Sequence, residues 1–347
     1  MTTRIELRSD NAAGVAPAIM AAMADANVGS ALAYGGDAWS ARMHERVAEV
    51  FEFPAVKVFP VISGTAANAL GLAALCPPWG AVLCHESAHI LRSECGATSM
   101  LSGGAVLRGV GGEGSRLHPD GLTQAFAATN WGDNHHSQPA VLSLTLPTDL
   151  GALYRPEEVT QLATAAKERG LRVHLDGARL ANALAAMGAT PAELTWKAGV
   201  DVLTLGATKN GAVSTDAIVC FDPAAADQLH YRTKRAGHVA SKMRFQSVQL
   251  DAYLTRGYWI ELAAQANRTM VRLAAGLEEL GLSFLCRPEV NLAFVYLADE
   301  AADRVSAAGL DFYRMGPGLI RLVTSFQTTL SEVDEALGRF AVALGGR

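Results

Sequence analysis

RVHLDGARLANALAAMGATPAELTWKAGVDVLTLGATKNG, residues 172–211, is the stretch from which the fold can be read. It holds two short apolar runs, RVHLD (172–176) and VDVLTLG (200–206). Both are too short for helices and rich in Val and Leu, which suits strands covered on both faces. Each runs into a small-residue turn that carries ionisable groups. Asp176 leads into Gly177-Ala178-Arg179, and Lys209 sits in Ala207-Thr208-Lys209-Asn210-Gly211. The carboxylate precedes the lysine by 33 residues, the span of one βαβ unit.

The same pattern extends in both directions. Further apolar runs are KVFPVIS (57–63), AVLCH (81–85), AVLRGV (105–110), AVLSLTL (140–146) and DAIVCFD (216–222). Helical patterns lie between them, at Thr65 to Cys76, Pro119 to Thr129 and Pro156 to Arg169. The last has Pro at its start, Glu157 and Glu158 early, and Lys167 and Arg169 late, which complements the helix dipole. Gly170 then stops it. Seven strands alternating with helices predict an α/β domain of three layers around a mostly parallel sheet. After about residue 245 the pattern changes. A long helix is expected over Gln246 to Leu280, broken near Gly257. Strands LAFVYLA (292–298) and LIRLVTS (319–325) follow, then a helix from Ser331 to Leu344 with Ser331 and Asp334 spaced as a capping box. This predicts a large domain over 1–245, including an N-terminal arm, and a small α+β domain over 246–347.

Composition narrows the function. The 347 residues are 50% apolar and only 18% charged, against roughly 25% in ordinary soluble domains. Such a chain is expected to bury surface in subunit contacts. The formal charge is −5 and no basic run occurs, which argues against nucleic-acid binding. No apolar run reaches the roughly 18 residues of a membrane span, and MTTRIELRSDNAAG has no apolar signal core. Five cysteines without a CxxC predict reduced thiols and a cytoplasmic location.

In open α/β sheets ligands bind beyond the carboxyl ends of the strands. Three turns fall there. Ser63-Gly64-Thr65 opens a helix, where free N–H groups suit a phosphate, or where Ser or Thr simply caps the helix. Asp176 is either half of an Asp–Arg pair, a cap, or a site acid. Lys209 is either an ordinary solvated lysine or a partly buried one with a lowered pKa and a nucleophilic amine. Taken together, a phosphate cradle, a carboxylate and a lysine at one sheet edge match the needs of pyridoxal 5'-phosphate (PLP). The lysine binds its aldehyde covalently and the acid keeps its pyridine nitrogen protonated.

On these residues the chain resembles the threonine aldolase group of the β-eliminating lyase family, fold-type I PLP enzymes. The motifs are LRSDN (7–11), AYGGD (33–37), SGTAAN (63–68), ESAHI (86–90), HLDGAR (174–179), GATKNG (206–211), KRAGHVASKMRF (234–245) and IRLVTS (320–325). The resemblance implies that Lys209 carries the cofactor, Asp176 faces its nitrogen, and Gly64 and Thr65 bind its phosphate. It implies that His89 stacks over the ring near the substrate hydroxyl and, directly or through a water, acts as base. Ser9, Arg179 and Arg321 would hold the substrate carboxylate and anchor the site, with Tyr34 nearby. Arg244 would reach a neighbouring subunit's phosphate, in a homo-oligomer that is commonly a tetramer of dimers. One segment departs from the family pattern. Where many members carry a Glu-Asn-Thr type sequence, Leu144 to Gly151 reads LTLPTDLG.

The implied activity is retro-aldol cleavage of L-threonine or L-allo-threonine to glycine and an aldehyde. Alternatives are a phenylserine aldolase, a β-eliminating lyase for another amino acid, and a binding module without catalysis. His85-Glu86-Ser87-Ala88-His89 also spells the H-E-x-x-H of zinc hydrolases, but it starts directly off a strand, and position 95, where a third His would fall, is Cys95.

Overall fold

The computed structural model describes residues 4–345. All seven predicted apolar runs form strands of one sheet. They are β1 (Lys57–Val61), β2 (Gly80–His85), β3 (Val106–Val110), β4 (Gln138–Thr145), β5 (Arg172–Gly177), β6 (Val202–Leu205) and β7 (Asp216–Cys220). Their order across the sheet is β1-β7-β6-β5-β4-β2-β3. Only β7 runs against its neighbours. Its N-terminal residue Asp216 therefore lies at the same edge as the carboxyl ends of the other six.

Alternate residues of these strands feed two separate cores, as the period of two requires. Val202, Ile218 and Cys220 pack under helices α2 (Gly64–Leu75) and α6 (Pro223–Arg235). Leu203 and Val219 face the opposite layer. That layer contains α1 (Ala38–Val50), α4 (Pro156–Glu168), α5 (Leu180–Met187) and α7 (Arg244–Leu254). The helix over Pro119–Ala127, α3, also packs there through Leu122 and Phe126. Gly170 closes α4 in the left-handed conformation, at φ +78°.

A smaller three-stranded antiparallel sheet, order β9-β10-β8, follows from β8 (Leu292–Tyr296), β9 (Tyr313–Gly316) and β10 (Leu319–Val323). The expected break near Gly257 occurs: α7 ends at Leu254, Arg256 and Gly257 take positive φ, and α8 (Tyr258–Glu279) starts afresh.

The packing of α8 passes from one core to the other along its length. Leu250, Tyr253, Trp259 and Leu262 pack in the large core, whereas Met270 and Leu273 pack in the small one. The N-terminal arm goes with the small body too. Ile5 and Leu7 are buried there, and Ile5–Glu6 pairs in parallel with Leu310–Asp311. The last helix, α9 (Leu330–Ala343), is capped by Thr329 rather than Ser331. Thr329 Oγ1 accepts from Glu332 N at 3.1 Å, and Thr329 N donates to Glu332 Oε2 at 2.8 Å. The true capping pair begins two residues before the one read from the sequence.

Candidate active site

Two glycines bring the acid and the lysine together. A Cβ on Gly177 would lie 2.8 Å from Thr204 O, and one on Gly206 would lie 2.2 Å from Ala178 O. The ends of β5 and β6 can approach this closely only without side chains. Asp216 then fixes the lysine turn: its Oδ1 accepts from Ala207 N (2.8 Å) and Thr208 N (3.0 Å). Gly211 closes the turn at φ +113°. Asn210 turns away and donates to Tyr253 Oη and Trp259 O.

The result is a cavity of about 260 Å³ whose walls include Gly64, Thr65, His89, Asp176, Arg179 and Lys209. Six of the ten residues singled out from the sequence thus share one space. A larger concavity of about 680 Å³ lies elsewhere, between Tyr34, Met43, Phe59 and Lys234. It holds none of those six.

Lys209 Nζ has no hydrogen-bond or ion-pair partner among the described residues. Burial, and next Arg179, hold its pKa below the usual lysine range despite nearby Asp10 and Asp176. The shift favours the unprotonated, nucleophilic form of the amine relative to an ordinary lysine. Asp176 is buried; its Oδ1 accepts from Ala178 N (3.0 Å) and its Oδ2 from Asn68 Nδ2 (2.9 Å). A carboxylate has about four acceptor positions, so room remains for a further donor. At the start of α2, Ser63 Oγ accepts from Ala66 N at 3.3 Å. The first-turn N–H groups of Gly64 and Thr65 stay outside the helix's own ladder. Thr208 Oγ1, beside them in the cavity wall, is buried with no partner.

His89 opens a four-residue helix and is half exposed. Its Nδ1 lies 2.9 Å from Oε1 of Glu94, whose side chain is fully buried. Asn68 Nδ2 donates to that same oxygen at 2.8 Å as well as to Asp176. One amide thus links the histidine's carboxylate to the acid across the site. The bond to Glu94 raises the His89 pKa against the cost of its burial, so the ring stays cationic to higher pH than an ordinary histidine. Glu94→Gln keeps the shape and removes the anion. The His89 pKa should then fall, and the ring should lose its proton at lower pH. Ring-proton NMR titration reads this directly, and an unmoved midpoint would contradict the assignment.

Arg179 is tied down more firmly than the sequence suggested. Its Nε and Nη2 donate to Asp10 at 2.6 and 2.9 Å, and Asn291 Nδ2 adds a bond to the same carboxylate at 3.1 Å. Burial alone would raise the Asp10 pKa, but Arg179, with Lys209 and Asn291, outweighs it and holds that carboxyl below the usual range. Arg321 stands behind this pair. Its guanidinium lies 5.1 Å from the Tyr313 ring centre and donates to Arg8 O, and its Nε is buried without a partner.

The other expected positions lie outside the cavity of this chain. Ser9 caps a short 3-10 turn by accepting from Asn11 N. Tyr34 is 58% exposed, with the Lys234 ammonium 4.6 Å from its ring centre. Arg244 donates to Val28 O and Gly29 O on the surface. The H-E-x-x-H pentad is split by the fold. His85 ends β2 and bonds Ser87 Oγ and Gly112 O, while His89 belongs to the next element. The two imidazoles do not share a helix face.

Sequence reasoning missed Asn68, Glu94, Asp149 and Asp216 in the site and Asp10 behind it. Asp149 and Asp216 were within reach of the rule that singled out Asp176, since each flanks a strand end at the same edge.

The family model described as Beta-eliminating lyase matches residues 6–300. The chain is 39% identical over 332 residues to a low-specificity L-threonine aldolase of a Pseudomonas species, covering 95% of both chains. It is 39% identical over 342 residues to the enzyme of that name from Pseudomonas aeruginosa, covering 98% of both. Among solved structures, a threonine aldolase of Leishmania major superposes with a TM-score of 0.92 at 25% identity, covering 98% of this chain and 99% of that one.

Proposed function

The chain belongs to the β-eliminating lyase family, and from this premise we propose that it is a low-specificity threonine aldolase of PLP fold-type I. It cleaves L-threonine and L-allo-threonine between Cα and Cβ, giving glycine and an aldehyde. The observation that carries this reading is the shared cavity of Lys209, Asp176 and the α2 N-terminus. It fits PLP on three counts: an unpartnered buried amine, a carboxylate with spare acceptor capacity, and free N–H groups beside the orphaned Thr208 hydroxyl.

When bound, PLP supplies an electron sink for the pair of a breaking bond at the amino acid's Cα. The rest belongs to the chain. Lys209 would hold the cofactor through its amine and yield it to the substrate amine. Asp176 would keep a proton on the ring nitrogen, with Asn68 and Ala178 N fixing its orientation. Gly64, Thr65 and Thr208 would hold the phosphate. His89, whose cationic form the bond to Glu94 favours, would lie over the ring; as a cation it donates a proton rather than accepting one. Arg179 and Arg321 would take the substrate carboxylate. An amino acid held at both amine and carboxylate has little rotation left, so this clamp selects the bond that breaks.

The family reading also makes the protein a homo-oligomer, with Arg244 serving a neighbouring subunit and Tyr34 standing near a site. Their exposure outside the chain's own cavity supports this, as do exposed Leu32 and Ile62. No helix among the described residues is long and apolar enough to cross a membrane. The five free cysteines support a reducing, cytoplasmic setting.

Loaded with PLP, the purified protein should release glycine and acetaldehyde from L-threonine and from L-allo-threonine. Light scattering should give a dimer or tetramer. Absence of glycine would overturn the activity, and a monomeric mass would overturn the assembly. Turnover of phenylserine far above threonine would move the substrate assignment to the aromatic branch.

A further inference from the structure

We propose that Asp149 accepts the proton of the substrate's β-hydroxyl. This deepens the aldolase reading and rests on it. Asp149 stands on the turn after β4, and its position is built rather than incidental. Thr148 N donates to Ala152 O (2.9 Å) and Gly151 N to Thr148 O (2.8 Å). Thr148 Oγ1 donates to Gly114 O (2.8 Å) and accepts from Ala152 N (3.1 Å). Gly151 permits the closure at φ +84°. Four hydrogen bonds thus hold the tip of this turn in the wall of the cavity that contains Lys209, His89 and Arg179.

Every other carboxylate at this edge is committed. Asp176 accepts from Asn68 and Ala178, Asp216 from Ala207 and Thr208, and Glu94 from Asn68 while it pairs with His89. Asp10 is taken by Arg179 and Asn291. Asp149 alone among them has no hydrogen-bond or ion-pair partner among the described residues. A partly buried carboxyl group left without a protein partner is the kind of group kept at sites that move protons.

The charges that face it are His89, Arg179 and Lys209, which favour its anion, and Asp176, which opposes it. Burial, and next Asp176, raise its pKa to about 6. At neutral pH it is mostly ionised yet far more basic than an ordinary aspartate, which suits a general base. His89 is disfavoured for that role by its bond to Glu94. In the step itself, the O–H bond breaks and its proton passes to an Asp149 oxygen. The oxygen's electrons form the aldehyde C=O as the Cα–Cβ bond breaks, and that bond's pair remains with Cα. A proton then adds at Cα, giving glycine, and Asp149 returns its own proton to solvent. One proton is lost and one gained, so no further reactant is needed.

The test compares two reactions of the PLP-loaded protein. Exchange of the glycine α-proton in D₂O needs the cofactor, Lys209 and the carboxylate clamp, but no hydroxyl proton. Asp149→Asn should retain the visible absorbance of bound cofactor and continue to exchange glycine. Its cleavage of L-threonine should fall by about 10²–10⁴-fold, the usual worth of a general base. Wild-type kcat/KM should rise with pH through an apparent pKa near 6, and the variant should lose that limb. Infrared difference spectra across that pH range should show a carboxyl band that the variant lacks. Asp149→Glu should recover part of the cleavage. Unchanged cleavage in Asp149→Asn, or parallel loss of glycine exchange, would overturn the proposal. A wild-type protein that neither binds PLP nor exchanges glycine would instead overturn the reading beneath it.

Discussion

Lys209→Ala should abolish threonine cleavage, with a loss on the order of 10⁴–10⁶-fold in kcat, the scale on which removal of a covalent nucleophile acts. The visible absorbance of covalently held cofactor should disappear with it. The fold should survive, for a physical reason. Lys209 Nζ makes no hydrogen bond or ion pair among the described residues, so its removal strands no partner. The turn around it is held instead by Asp216 on Ala207 N and Thr208 N, and by Asn210 on Tyr253 and Trp259. Burial disfavours the charged amine, so deleting it relieves a cost to stability. The expected combination is an inactive protein whose thermal midpoint, both proteins compared without cofactor, is equal to or above that of the wild type. Near-normal turnover, or a retained cofactor band, would contradict the assignment. A collapsed midpoint would show that Lys209 is structural.

Asp10→Ala should have the opposite signature, a large loss of stability. Asp10 and Arg179 form a buried pair in two-point contact, with side-chain exposures of 2% and 18%. Removing one partner of such a pair leaves an uncompensated buried charge and costs about 3–5 kcal/mol. Arg179 also faces Asp149 and Asp176, which recover part of this, so about 3 kcal/mol is expected. For a chain of this size the thermal midpoint should fall by roughly 4 °C. The pair also sets the pH dependence of stability. The Asp10 pKa is lowered in the folded state, so its contribution is complete above the ordinary aspartate range. It is lost as pH falls through the lower folded value. The variant should therefore lose less stability than the wild type on acidification. An unchanged midpoint at neutral pH would mean that Arg179 needs no anchor.

What the sequence made legible follows from locality. A strand is a run of a few residues, so KVFPVIS or AVLSLTL announces itself, and all seven runs entered the sheet. Turns at strand ends are equally local, which is why Asp176, Lys209 and Ser63-Gly64-Thr65 could be placed at one edge. Partnerships across the chain were not visible. Asp10 lies 169 positions from Arg179, and Asn68 lies 108 from Asp176. Nothing in the neighbouring residues marks those pairs. Arg179 therefore read as a free clamp when it is half committed to Asp10. Glu94 was hidden for another reason: its role depends on the short helix that turns His89 toward it. The passage of α8 between the two cores was not legible either, because a helix that crosses from one core to the other keeps one continuous pattern across the change.

The claim on which all this depends is that one amine, Lys209, holds the cofactor over Asp176. Borohydride reduction of the PLP-loaded protein makes an amine linkage to the cofactor permanent, and peptide mass spectrometry then locates it. A single modified peptide spanning Gly206 to Gly211 is expected, with the added mass on Lys209 and none after prior displacement of the lysine by excess substrate amine. Added mass on another lysine, or none at all in a protein that carries the cofactor's colour, would contradict it.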